Sequence, residues 1–137
     1  MDCIFCKIID GNIPSEKVYE DDLFIAILDI NPVNKGHLLV LPKKHSENIF
    51  DFDEPEISNI MKVIKKLSKA LMDTLNAEGV NIIQNNCKAA GQIIFHSHFH
   101  IIPRYSGDGI KIGMIHGKYN EGEIKEFASK IREGLNK

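Results

Sequence analysis

Histidine stands at every second position in His96-Ser97-His98-Phe99-His100, and Ile101-Ile102-Pro103 follows. No other stretch limits the fold so tightly. Side chains alternate along a β-strand, so residues i, i+2 and i+4 share a face. The three imidazoles would then form a row with roughly 6–7 Å between alternate positions. A helix would scatter them around its axis. The spacing therefore predicts a strand across residues 92–102, with Phe99 and Ile101 turned to a core. A row of imidazoles facing away from the core suits a metal site, or nucleophilic and acid–base chemistry. The alternative is a solvated polar strand face.

The chain has 137 residues, 43% apolar and 26% charged. These values predict one domain over residues 1–137 with an ordinary globular core. A net charge of −2 gives no basic footprint for nucleic acid. No apolar run approaches membrane-spanning length, and the first residues lack a basic-then-apolar signal pattern. Three cysteines, an odd count, argue against a disulfide framework and for a reducing compartment such as the cytoplasm.

Residues 3–10 read as a short turn or helix stopped by Gly11-Asn12. An extended arm begins at Val18-Tyr19, turns at Glu20-Asp21-Asp22 and returns as a strand over 23–28. Residues 31–36 form a loop by composition. A buried strand over 37–41 ends at Pro42. The best helix spans 53–77, opened by an Asp53/Glu56 capping box with Pro55 in the first turn and stopped by Gly79. Its apolar stripe is Ile57, Ile60, Met61, Ile64, Leu67, Leu71 and Leu75. Lys62, Lys65, Lys66 and Lys69 fall on its solvated face. Strands over 80–84 and 92–102 flank a polar loop at 85–91. A second, weaker helix covers 121–135. Strands adjacent in sequence around one long helix predict an α+β fold with a largely antiparallel sheet of about five strands.

Three further constellations could carry chemistry. Cys3-Ile4-Phe5-Cys6 is half of a zinc site, a redox pair, or two small hydrophobic residues in a turn. The redox reading lacks a surrounding βαβ pattern. Asp29, in the polar loop leading to Gly36-His37, could accept hydrogen bonds from a sugar diol, or it could be an ordinary solvated loop residue. His37 could equally be a core histidine. Asn85-Asn86 and Gly91-Gln92 could face a phosphate or simply make turns. Cys87 reads as a free thiol.

Taken together, Gly91-Gln92-x-x-x-His96-x-His98-Phe99-His100-Ile101-Ile102-Pro103-Arg104 resembles the signature of the histidine triad (HIT) family. The opening Cys-x-Phe-Cys-Lys-Ile-Ile, the Ile13-Pro14-Ser15 step and GHLLVLPKKH at 36–45 resemble its prokaryotic members from end to end. The resemblance implies hydrolysis of nucleotide conjugates, nucleoside phosphoramidates foremost, through a covalent nucleotidyl-histidine at His98. His100 and His37 match supporting positions. Asp29 matches the ribose-binding position and Asn85 a polar position near the phosphate. Backbone N–H groups around Gln92 and Ile94 would help neutralise phosphoryl oxygens. Cys3, Cys6, His45 and His96 correspond to the four ligands of a structural zinc ion in zinc-bearing relatives. The family also implies a homodimer and a purine nucleotide as substrate. Two other readings remain open: a dinucleoside polyphosphate hydrolase, and a nucleotide-binding sensor with weak turnover. Three positions depart from the pattern. Ser97 replaces an apolar residue and would need a buried partner. Ile93 replaces a hydroxyl near the leaving group, which a bend before His96 would have to bring to the site. Cys87 stands where glycine is common.

Overall fold

The computed structural model describes residues 2–137. Helix α1 (Ile4–Ile9) is followed by strands β1 (Lys17–Glu20), β2 (Phe24–Leu28) and β3 (Leu38–Pro42). Then come the long helix α2 (Glu54–Leu75), strands β4 (Gly79–Ile83) and β5 (Phe99–Arg104), and helix α3 (Glu123–Leu135). The sheet has five strands in the order β1-β2-β3-β5-β4, and every neighbouring pair is antiparallel. This is the expected α+β architecture.

β2 and β3 read as continuous apolar runs because both of their faces are covered. Phe24, Ala26, Leu38 and Val40 pack with Ile60, Val63, Ile64, Leu67 and Leu71 of α2. Ile25, Ile27, Leu39 and Leu41 point the other way and pack with Phe5 of α1. His100 lies opposite Leu39 in the β3–β5 ladder. Its side chain therefore belongs to the α1 side, which is how strand alternation places the triad.

The capping box of α2 is present: Asp53 accepts from the Glu56 N–H, and Glu56 accepts from the Asp53 N–H. Several expected boundaries shift. α2 ends at Leu75, where Asn76 takes the left-handed conformation (φ 54°), so Gly79 starts β4 rather than stopping the helix. Asn tolerates this conformation better than most non-glycine residues. The buried stripe is rotated from the expected one: Glu56, Val63 and Ser68 face in, while Ile57, Met61 and Leu75 are exposed. Pro42 pairs with Phe24 inside β3 instead of ending it. The four lysines expected on the solvated face are exposed.

The largest correction concerns the triad itself. Regular strand begins only at Phe99, and residues 92–98 are irregular. Ser97 explains part of this. It is fully buried, its N–H donates to the Ser46 carbonyl (2.7 Å), and its Oγ accepts from Gln84 Nε2 (3.1 Å). The chain there satisfies its polar groups locally instead of in a ladder. α3 has its apolar residues on one stripe, as expected, but none of them is buried.

Candidate functional site

Two groups of histidines sit side by side on the α1 face. The first joins Cys3, Cys6, His45 and His96, whose ligand atoms all lie within 4.8 Å of one another. His96 Nδ1 is 3.4 Å from Cys3 Sγ, 3.5 Å from Cys6 Sγ and 3.2 Å from His45 Nδ1, and His45 Nδ1 is 3.3 Å from Cys6 Sγ. Tetrahedral zinc with ordinary Zn–N and Zn–S bonds would separate its donors by about 3.3–3.8 Å. The cluster fits that size. Its protonation fits as well. His96 is completely buried and donates from Nε2 to the Pro42 carbonyl (2.8 Å), so its Nδ1 turns a bare lone pair toward the cluster. Burial, reinforced by the neighbouring Cys3, pushes the Cys6 thiol up to about 11. A cation between the sulfurs would reverse that, because coordination deprotonates thiols. The C-x-x-C spacing works here because Cys3 caps α1, accepting the Cys6 N–H at 3.3 Å, and Cys6 then lies one turn along.

The second group is His98, His100 and His37. His98 donates from Nδ1 to the His96 carbonyl at 2.8 Å, which leaves Nε2 as the unprotonated nitrogen. The edge of Phe5 packs against its ring, with centroids 5.2 Å apart. Burial holds His98 below the ordinary histidine range, so the ring is neutral at neutral pH. His37 is also buried, and its Nδ1 accepts the Val33 N–H (3.1 Å). A neutral His37 therefore carries its proton on Nε2 and donates it to His100 Nδ1 at 2.9 Å. His100 in turn carries its proton on Nε2. Burial, with lesser contributions from His98 and His37, pushes His100 down to about 4. Asp29 Oδ1 accepts the Asn31 N–H (2.8 Å), while Oδ2 stays 3.7 Å from His37 Nε2, too far for a hydrogen bond.

Of these side chains, His98 and His100 open on a cavity of about 600 Å³, while His37 lies behind His100 and does not line it. That volume falls in the range of small-molecule sites. One wall is apolar, with Phe5, Ile8, Ile27 and Leu39; the polar groups include Asp29, Asn85, His98 and His100, with Ser15 and Asn31. Ile94 lines it too. Gln92 does not. Its Oε1 accepts the Cys87 N–H (2.7 Å), its Nε2 donates to the carbonyls of Glu47 and Ile94, and its own N–H donates to the Cys87 carbonyl. With side chain and N–H both engaged within the protein, Gln92 braces the loop. Ile93 lines the cavity and is 87% exposed, so the bend required to bring residue 93 to the site exists. Cys87 is exposed and adopts φ 74°, the positive value that glycine would take without strain. Sequence reasoning missed Phe5, Gln84 and the Val33 N–H. Phe5 lay in plain view between the two cysteines, whereas a backbone donor in a loop leaves no side-chain signal.

The HIT domain model matches residues 10–107. The chain is 39% identical over 137 residues to the adenosine 5'-monophosphoramidase of Schizosaccharomyces pombe, covering 96% of this chain and 100% of the relative. A crystal structure of a HIT family member from Bacillus subtilis superposes with a TM-score of 0.87 at 42% identity, covering 97% of this chain and 96% of that one. A zinc-bound histidine triad family protein from Mycobacterium smegmatis gives a TM-score of 0.77 at 34% identity, covering 98% of both chains.

Proposed function

The chain belongs to the histidine triad (HIT) family, and from that premise we propose that it hydrolyses nucleoside phosphoramidates or related nucleotide conjugates through a nucleotidyl adduct on His98. One observation carries the reading: a neutral imidazole, its Nδ1–H pinned by the His96 carbonyl, stands beside Asp29 in a cavity of nucleotide size. A nucleoside with its ribose at Asp29 and its base against the apolar wall would set the phosphorus before His98. The Nε2 lone pair forms a P–N bond as the bond from phosphorus to the leaving amine breaks. The amine departs with its electron pair and takes up a proton from solvent, leaving a cationic nucleotidyl-imidazolium on His98. Water then attacks phosphorus, the P–Nε2 bond breaks, its electron pair returns to His98, and the water's proton passes to solvent. The Nε2–H of His100 is placed to donate to a phosphoryl oxygen, with Asn85 on the same rim. The naming of relatives as adenosine 5'-monophosphoramidases supports an adenine, and hence purine, substrate.

Zinc held by Cys3, Cys6, His45 and His96 would complete a closed four-ligand centre. Such a centre supplies cohesion between α1 and the triad segment, with no open position for an activated water. The zinc-bound relative supports this. Reduced thiols suit a cytoplasmic setting. A homodimer is supported by the uncovered apolar stripe of α3, which a second copy could bury.

The test compares turnover of an adenosine aminoacyl phosphoramidate with that of a dinucleoside polyphosphate, and follows intact mass during turnover. Faster phosphoramidate cleavage with an acid-labile mass increase of one nucleotidyl group is expected. Preference for the polyphosphate would move the assignment to that class. Tight nucleotide binding without turnover of either would make the protein a binder, a reading that the apolar, exposed Ile93 favours.

A further inference from the structure

We propose that Asn34, held by Asp108, is a positioning residue that fixes the tautomer of His37 and so the direction of the His37–His100 hydrogen bond. The role assigned to His100 rests on the reaction proposed above; the tautomer itself does not.

Residues 29–37 join Leu28 to Leu38, which pair across the β2–β3 ladder. The loop closes on itself through Asp29 N–H to the His37 carbonyl (2.9 Å) and His37 N–H to the Asn34 carbonyl (3.0 Å). Its outer part, residues 30–33, is exposed. Yet that outer part supplies the Val33 N–H that pins His37 Nδ1. An exposed loop cannot hold a backbone donor in register without an anchor, and the next residue provides one. Asn34 Nδ2 donates to the Pro103 carbonyl (2.9 Å) and to Asp108 Oδ2 (3.1 Å), so both amide hydrogens reach the far end of β5.

That end is itself fixed. The Asp108 carboxylate also receives Arg104 Nε and Nη2 and the backbone N–H groups of Tyr105 and Ile110. Arg104 reaches onward to Asn81 of β4 and the Ile110 carbonyl. Gly36 presses the loop down from the other side. At φ +98° it packs so closely that a Cβ would stand 2.5 Å from Leu75 Cδ1. The line of contacts therefore runs from Asp108 through Asn34 to the Val33 N–H, to His37, and to His100 on the same strand as Arg104.

The tautomer matters because the chain of donors has a direction. With Val33 donating to Nδ1, His37 must donate from Nε2, and His100 must carry its proton on Nε2. Without the Val33 donor, His37 can move its proton to Nδ1. His100 would then donate to His37, and its Nε2 would present a lone pair where an anionic phosphoryl oxygen is expected.

The experiment uses the metal-replete full chain with 15N-labelled imidazoles. The wild type should show one His37 tautomer, with Nε2 protonated and Nδ1 accepting. Asn34→Ala should show mixed tautomers and a kcat lower by roughly ten- to a hundredfold, with KM little changed. Asn34→Asp keeps the shape and removes both donors, and should do the same. Asn34→Ser keeps one donor and should fall between; it serves if the other variants fold poorly. Lys35→Ala, an exposed neighbour, should match the wild type in both readouts. Retention of the single Nε2–H tautomer in the Asn34 variants overturns the proposal. The spectra decide it even if the phosphoramidate proves not to be a substrate.

Discussion

His45 with His96 and His37 with His100 are two imidazole pairs on one face of one sheet, and their facing nitrogens are nearly the same distance apart, 3.2 and 2.9 Å. Their chemistry differs because of what each ring does with its other nitrogen. His96 gives its Nε2–H to the Pro42 carbonyl and so turns a lone pair into the cluster, beside two thiols. His37 takes an N–H from Val33 at Nδ1 and so turns a proton toward His100. A carbonyl behind the ring makes a ligand; an N–H behind the ring makes a donor. The lesson is that a cluster of histidines is read from its outer partners before its inner distances.

The comparison can be broken in several places. The largest expected effect is on turnover: His98→Ala should remove at least about a thousandfold of it, because the proposed reaction runs through the Nε2 lone pair of His98, while the melting temperature stays near the wild-type value. Steady-state kinetics beside thermal melts checks both halves, and an active variant would end the covalent reading. Next comes Cys6→Ser, which should release zinc and lower Tm by roughly 10 °C or more, yet leave measurable turnover in the cold. Metal analysis and calorimetry would show it; zinc retained at one per chain would reject Cys6 as a ligand.

A smaller effect concerns pH. His100 sits at about 4 when folded, below its ordinary range, so the unfolded chain binds the extra proton first. Its contribution is fully present above about 6.5 and is lost as pH falls toward about 4. Denaturant unfolding of wild type and His100→Gln should therefore show a difference that is flat above that window and moves against the wild type within it. A difference independent of pH would mean that His100 is not held neutral. The smallest effect is at Ile93. Ile93→Ser should raise turnover a few-fold for poor leaving groups and little for good ones, well short of the roughly hundredfold or more of a well-aligned donor, because the surrounding geometry was not built around a hydroxyl. Equal gains on both would assign residue 93 to packing alone.

Much of this was legible in the sequence where one residue type has one use. The capping box of α2, the apolar runs of β2 and β3, and the Cys3/Cys6 spacing all act through their own side chains over short range. The reading slipped where the backbone decides. Alternation put the triad on a strand, but Ser97 finds Ser46 and Gln84 instead of a ladder, and the segment bends before Phe99. Gln92, an amide next to a glycine, leaves a phosphate contact and a turn role equally open in the sequence, and only the folded chain shows its bonds to Cys87, Glu47 and Ile94. The stripe of α2 was misjudged on its flank because Glu56 turns inward to close the cap, a polar residue that a count of apolar positions leaves out.

His96 meets both clusters, and through different atoms: its ring faces the thiols, and its carbonyl holds His98. Every amino acid has a carbonyl. Over evolutionary time, position 96 could exchange its imidazole for another side chain and abandon the metal while still steadying the nucleophile, provided the path of the main chain survived. Position 98 has no such freedom under the proposed reaction, which uses the imidazole of His98 itself. The asymmetry comes from writing one contact of His96 in its side chain and the other, its hold on His98, in the backbone.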